Sequence, residues 1–100
     1  MNPVELIATI PLRASDAGEM LLRLLVAYGE HVRSAAGTER FEVFTDRDDP
    51  LTVVVIERYA DEAAFQAHLD DPANADFNAA IAPLTQGGSA LRFLVRAYSD

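Results

Sequence analysis

The chain has 100 residues, of which 16 are acidic and 8 are arginine, with no lysine and no cysteine, so its formal net charge is −8. This length corresponds to a single domain over residues 1–100. The negative charge argues against nucleic acid and anionic membrane surfaces as partners, because both would repel it. The lack of cysteine excludes disulfides and thiol chemistry and suits a reducing compartment, so we expect a cytoplasmic protein.

The first part of the chain predicts a strand followed by a helix. Apolar residues alternate along Val4–Leu12, which is typical of a strand with one buried face. Ser15 or Asp16 should cap the helix that follows, and with Asp16 at the cap Glu19 completes a capping box. Apolar residues then recur at helical spacing until Gly37, which we expect to end the helix.

The middle of the chain predicts an antiparallel hairpin. Thr38–Thr45 and Leu51–Tyr59 are strand-like, and the Asp-Arg-Asp-Asp-Pro sequence between them has the composition of a turn. The run Val53-Val54-Val55-Ile56 is apolar on successive residues, which indicates that both faces of this strand are covered.

The last part predicts two capped helical segments and a final strand. Asp61 should cap a helix, and Asp71 before Pro72 should cap the next one. Ala90–Tyr98 alternates again and is predicted to be a strand. The order is therefore βαββαβ, a ferredoxin-like α+β fold with a four-stranded antiparallel sheet and helices on one face.

One face of this sheet would be left without helices. Its candidate residues are Ile7, Val54, Ile56 and Leu94. An apolar sheet face of this size exceeds what a monomer tolerates, so we expect it to pair with a second copy in a homodimer.

Four sequence features carry a family resemblance. They are a small-residue turn (Ala36-Gly37), an aromatic strand (Phe41-Glu42-Val43-Phe44), a strand ending (Glu57-Arg58-Tyr59) and the helix from Asp61 to Leu69. With these features the chain resembles the antibiotic biosynthesis monooxygenase domain, a family of small quinol-monooxygenase-like proteins. The resemblance implies a dimeric α+β barrel and oxygenation without a cofactor.

Three positions depart from relatives. Haem-degrading relatives carry a tryptophan where His68 stands and a haem-ligating histidine where Asn78 stands, so haem degradation is not expected. Relatives often carry a histidine where this chain has Ala73. We expect no cofactor and no metal site, since the acidic turn lacks the ligand series of a calcium loop.

His68 and Glu57 are the candidate catalytic residues. A neutral imidazole can take a phenolic proton, which cofactor-free oxygenation needs, and the family resemblance favours His68 for this role. The alternative is that His68 only borders its helix. Glu57 lies on an apolar strand and must be paired, either with an arginine (Arg40, Arg92 or Arg96) or with His68, which it would then orient.

The candidate substrate-binding residues are Tyr59, Phe65, Phe77 and Asn78. Aromatic side chains at strand and helix spacing can line a pocket or fill the core, and we select these as the pocket. The expected substrate is a small aromatic compound, a quinol or a polycyclic phenol oxidised by O2. Two other functions stay open, namely an isomerase of small metabolites on the same scaffold and a non-catalytic binding or dimerisation module.

Overall fold

The computed structural model describes residues 2–98, which form four strands and three helices. In chain order these are β1 (Val4–Pro11), α1 (Gly18–Arg33), β2 (Thr38–Thr45), β3 (Thr52–Tyr59), α2 (Glu62–Asp70), α3 (Pro72–Ile81) and β4 (Ala90–Leu94). The strands make one antiparallel sheet in the order β2-β3-β1-β4. The predicted ferredoxin-like fold is therefore confirmed.

The core lies between one face of this sheet and the helices. Alternate residues of β1 and β3 point to that side, and register pairs Ala8 with Val55 and Ile10 with Val53. All four are buried, and Leu21 and Leu25 of α1 pack on them. The other buried apolar residues of the core are Leu6, Leu12, Val32, Phe41, Tyr59, Phe65 and Ile81. The alternation read from the sequence thus identifies the buried face.

Two of the three predicted helix caps are present. The Asp61 carboxylate accepts from the Ala64 amide at 2.8 Å, and the Asp71 carboxylate accepts from the Ala73 amide at 2.9 Å. The predicted capping box is wrong. A short 3₁₀ turn precedes α1, and neither the turn nor α1 begins with a side-chain capping hydrogen bond. Glu19 instead forms an ion pair with Arg23, one helical turn later, at 2.6 Å.

Gly37 does not have the role that we expected. α1 already ends at Arg33, and Gly37 is not in the left-handed region. A Cβ on Gly37 would lie 2.5 Å from the Cβ of Ala64, so the missing side chain lets α2 approach this turn. The Gly37 carbonyl also accepts from the Ala60 amide at 2.8 Å, which ties the turn to the start of α2.

The last strand is shorter than predicted, because β4 ends at Leu94. On the helix side Leu91 and Phe93 are 49% and 55% exposed, although the Phe93 ring contacts that of Phe65 in α2, so the helices cover this edge strand only in part. Beyond it Val95 is 95% exposed, and Arg96 forms an ion pair with Glu5. Residues 95–98 therefore do not pair with a neighbouring strand, although their sequence alternates like that of one.

The opposite sheet face carries the apolar residues that the sequence predicted there. Ile7 lies directly opposite Ile56 in the register, and Val54 and Leu94 belong to the same face. Leu94 is 42% exposed. None of the helices within residues 2–98 has the length and apolar character that crossing a membrane would require.

Candidate active site

A cleft opens between the sheet and the three helices, on the side of β4. Its solvent-accessible space has a volume of about 130 Å³. The sheet contributes an apolar floor that includes Leu6, Ala8 and Val55, and it also contributes Glu57. The helices contribute the walls, formed by Tyr28, Phe65, His68, Asn74, Phe77 and Asn78. A titratable pair (His68 and Glu57) and a chain of side-chain hydrogen bonds (Asn78, Asn74 and Tyr28, here called the amide chain) therefore face a mostly apolar space. This is the usual composition of a small-molecule site.

The titratable pair is His68 with Glu57. Nε2 of His68 lies 3.8 Å from Oε1 of Glu57, and only 11% and 8% of the two side chains are exposed. The same carboxylate oxygen accepts a hydrogen bond from the Tyr59 hydroxyl at 2.6 Å. The His68 ring stacks on the Tyr59 ring, with 4.9 Å between centroids. Tyr59 thus contacts both members of the pair, Glu57 through a hydrogen bond and His68 through ring stacking.

Burial penalises the charged form of each group in this pair. It lowers the pKa of His68, with the charge of Asp71 acting in the opposite sense. It raises the pKa of Glu57, with the Tyr59 hydrogen bond acting in the opposite sense. A lowered pKa makes neutral imidazole the resting form of His68 near neutral pH, which is the form that accepts a proton.

The arginine partner that we considered for Glu57 is wrong. Glu57 lies on the helix side of β3, opposite Leu6 in the register. Arg96 pairs with Glu5 and Arg40 with Glu42 instead. The alternative, contact with His68, is the arrangement found.

The predicted substrate-binding residues fall into two groups. Phe65, Phe77 and Asn78 line the cleft, whereas Tyr59 does not. Tyr59 has no exposed surface, because His68 and Phe65 cover its ring, so we correct its role from substrate contact to support of Glu57.

The sequence did not single out the amide chain on the other wall. Nδ2 of the Asn78 side chain donates to Oδ1 of the Asn74 side chain at 3.1 Å, and Nδ2 of Asn74 donates to the Tyr28 hydroxyl at 3.0 Å. The Tyr28 ring stacks on Phe77, with 4.3 Å between centroids and 5° between planes. The spacing of the two asparagines by four residues, one helical turn, was the available signal.

No metal-binding group is found in the part of the chain that the structure describes, where no three histidine or carboxylate side chains converge. The chemistry that the cleft can perform with its own residues is proton transfer at His68 and hydrogen bonding at the amide chain.

Comparison with known proteins gives a family and several similar structures. The family model of the antibiotic biosynthesis monooxygenases matches residues 3–80. The protein PA3566 of Pseudomonas aeruginosa is 30% identical over 98% of this chain and 97% of its own, with a TM-score of 0.86. Rv0793 of Mycobacterium tuberculosis is 26% identical over 98% of both chains, with a TM-score of 0.87.

A third similar structure is that of SnoaB from Streptomyces nogalater, described as a cofactor-independent oxygenase. It is 18% identical over 99% of this chain and 97% of its own, with a TM-score of 0.78, and this similarity shows the fold alone. No protein of curated function matches the sequence.

Proposed function

Because the chain belongs to the antibiotic biosynthesis monooxygenase family, we propose that it oxidises a quinol or polycyclic phenol with O2 and without a cofactor, using His68 as the base. The observation that carries the proposal is the imidazole of His68, only 11% exposed in an apolar cleft and 3.8 Å from the Glu57 carboxylate. We place the activity in the cytoplasm, the compartment that a chain without cysteine suits.

The first step would be removal of a phenolic proton. Neutral His68 accepts it at Nε2, and the imidazolium that forms is stabilised by the nearby Glu57 carboxylate. The phenolate is electron-rich and donates an electron to O2. One oxygen atom then enters the ring, the other leaves as water with two substrate hydrogens, and the substrate supplies all the electrons. A phenol gives the corresponding quinone in this way, and a quinol gives the hydroxyquinone.

The apolar sheet face supports a homodimer as part of this proposal. Ile7, Val54, Ile56 and Leu94 form a surface that no helix covers, and stacking two such faces would bury it from water. Sedimentation at micromolar loading should give a dimer, and Ile56→Arg should give a monomer. Val26→Arg, on the 57% exposed outer side of α1, is the control that should stay dimeric. A wild-type monomer would overturn the dimer.

Oxygen uptake tests the catalytic proposal. Purified protein treated with a chelator should consume O2 with at least one member of a panel of hydroquinones and naphthols, and ¹⁸O from labelled O2 should enter the product. His68→Ala should lose about a hundredfold or more in kcat. His31→Ala, the other histidine, should keep full activity. Uptake that survives His68→Ala would remove His68 from the reaction.

The same assay separates the two alternatives. Turnover of a small oxygenated metabolite under argon would mean proton transfer alone, as in an isomerase. Binding of aromatic phenols without turnover in either atmosphere would mean a binding module.

A further inference from the structure

We infer that Tyr28 binds and orients the substrate. Its hydroxyl would donate a hydrogen bond to one oxygen of a single-ring quinol while His68 takes the proton from the other. This inference rests on the proposed function, because it concerns the same cleft. It adds the donor that recognises the substrate and limits the substrate to one aromatic ring.

The direction of the amide chain leaves the Tyr28 hydrogen available. Asn78 donates to Asn74, and Asn74 donates to the Tyr28 oxygen. A hydroxyl has one hydrogen to donate and two lone pairs, and Asn74 occupies only a lone pair. Within residues 2–98 Tyr28 takes part in this hydrogen bond as the acceptor and in none as a donor.

Packing holds the Tyr28 ring in place. It stacks on Phe77 and contacts the edge of Phe41, with 5.9 Å between centroids. Burial raises the pKa of Tyr28 to about 12, an effect that the Asn74 hydrogen bond opposes. Tyr28 therefore stays a phenol, and so a donor, near neutral pH.

The cleft presents a donor and a base, which suits a ring with two oxygens. Tyr28 belongs to α1 and His68 to α2, and their ring centroids are 6.1 Å apart. Both line the same cleft. A quinol has two oxygens, so it can accept a hydrogen bond from Tyr28 through one and release a proton to His68 from the other.

The size of the cleft selects one ring. Its volume of about 130 Å³ is close to that of an engineered apolar cavity in another protein, about 150 Å³, which binds benzene. A single ring fills this space, and a fused second ring would have to extend through the open mouth of the cleft into solvent.

Binding under argon tests the inference separately from oxygenation. Calorimetry would compare phenol with toluene, which has a methyl group in place of the hydroxyl. Tyr28→Phe keeps the ring packing and should weaken phenol binding about three- to tenfold, the usual effect of one hydrogen bond, while toluene binding stays the same. Tyr98→Phe, a substitution at an 83% exposed tyrosine, should change neither.

Asn74→Asp tests the direction of the hydrogen bond. The introduced carboxylate can only accept, so it should draw the Tyr28 hydrogen away from the ligand and weaken phenol binding as Tyr28→Phe does. The double variant should be no weaker than either single one, because both remove the same donor. Circular dichroism and thermal unfolding of each variant confirm that it is folded.

Three results would overturn the inference: equal losses for phenol and toluene in Tyr28→Phe, unchanged phenol binding in that variant, or naphthol binding as tight as phenol in the wild type. Failure of the proposed function looks different. In that case phenol binding would still depend on Tyr28, but no oxygen would be consumed.

Discussion

Tyr59 donates its hydroxyl hydrogen to Glu57 across the buried side of β3, at 2.6 Å. The two residues are two positions apart on one strand, so both side chains point to the helix layer. Their hydrogen bond satisfies a carboxylate that would otherwise be buried alone beneath His68. The geometry of the pair therefore links the stability of the fold to the chemistry of the cleft.

Glu57→Gln should lower the rate and shift its pH profile. The rate should fall as pH falls, because protonated His68 cannot accept a proton, and the midpoint should lie below the ordinary histidine pKa of 6.5. Without the carboxylate the imidazolium loses stabilisation, so the midpoint should move lower still. We expect kcat to fall about tenfold or more with little change in KM. An unchanged midpoint in the pH dependence of kcat/KM would contradict this link.

Tyr59→Phe should destabilise the protein by about 1.5–3 kcal/mol, since it removes a hydrogen bond to a buried charged group. Burial raises the pKa of Glu57, and Tyr59 opposes this effect, so the substitution should raise the pKa further. A carboxyl with a raised pKa contributes stability below its ordinary value of 4.5 and loses it as pH rises through the folded-state pKa. The deficit should therefore be larger at neutral pH than near pH 4.5, as urea unfolding would measure. Tyr98→Phe should be neutral at both.

Gly37→Ala should destabilise the fold by about 1–3 kcal/mol, because the added methyl would overlap the side chain of Ala64. Adding Ala64→Gly should recover part of the loss, which makes the two substitutions non-additive. Gly18→Ala is the control, because a methyl there meets only an ordinary contact at 3.4 Å. If the double variant is as unstable as the sum of its parts, close approach is not the reason for Gly37.

Asp71→Asn should remove one component of the pH dependence of stability. Asp71 caps α3 and also pairs with His31 of α1 at 2.6 Å, and the Ala73 amide and His31 lower its pKa. Such a group stabilises the fold above its unfolded pKa, ordinarily 3.8, and this stability is lost as pH falls through the lowered value. Asparagine keeps the cap but not the charge. The melting temperatures of wild type and variant should therefore differ at neutral pH and converge below pH 3.8.

The comparison of β1 with β4 shows how far strand prediction reached. β1 was predicted correctly because its alternation matches a strand that has neighbours on both sides. The same alternation runs on through residues 95–98, but β4 is an edge strand and pairing stops at Leu94. Local periodicity reports which face would be buried and not whether a partner exists.

The candidate site was predicted in part. His68, Phe65, Phe77 and Asn78 were selected from the sequence, and all line the cleft. Tyr59 was selected as a pocket residue but lies behind it, since strand position alone does not tell the surface of a cleft from the layer beneath.

The sequence by itself determined the order of strands and helices, the buried faces of β1 and β3 and the caps at Asp61 and Asp71, because these depend on residues only a few positions apart. Only the tertiary structure decided which partner Glu57 has, why Gly37 lacks a side chain and how Asn74 meets Tyr28, 46 positions away. Those contacts depend on how α1, α2 and α3 lie on the sheet. Sequence patterns over a few neighbouring residues do not specify that arrangement.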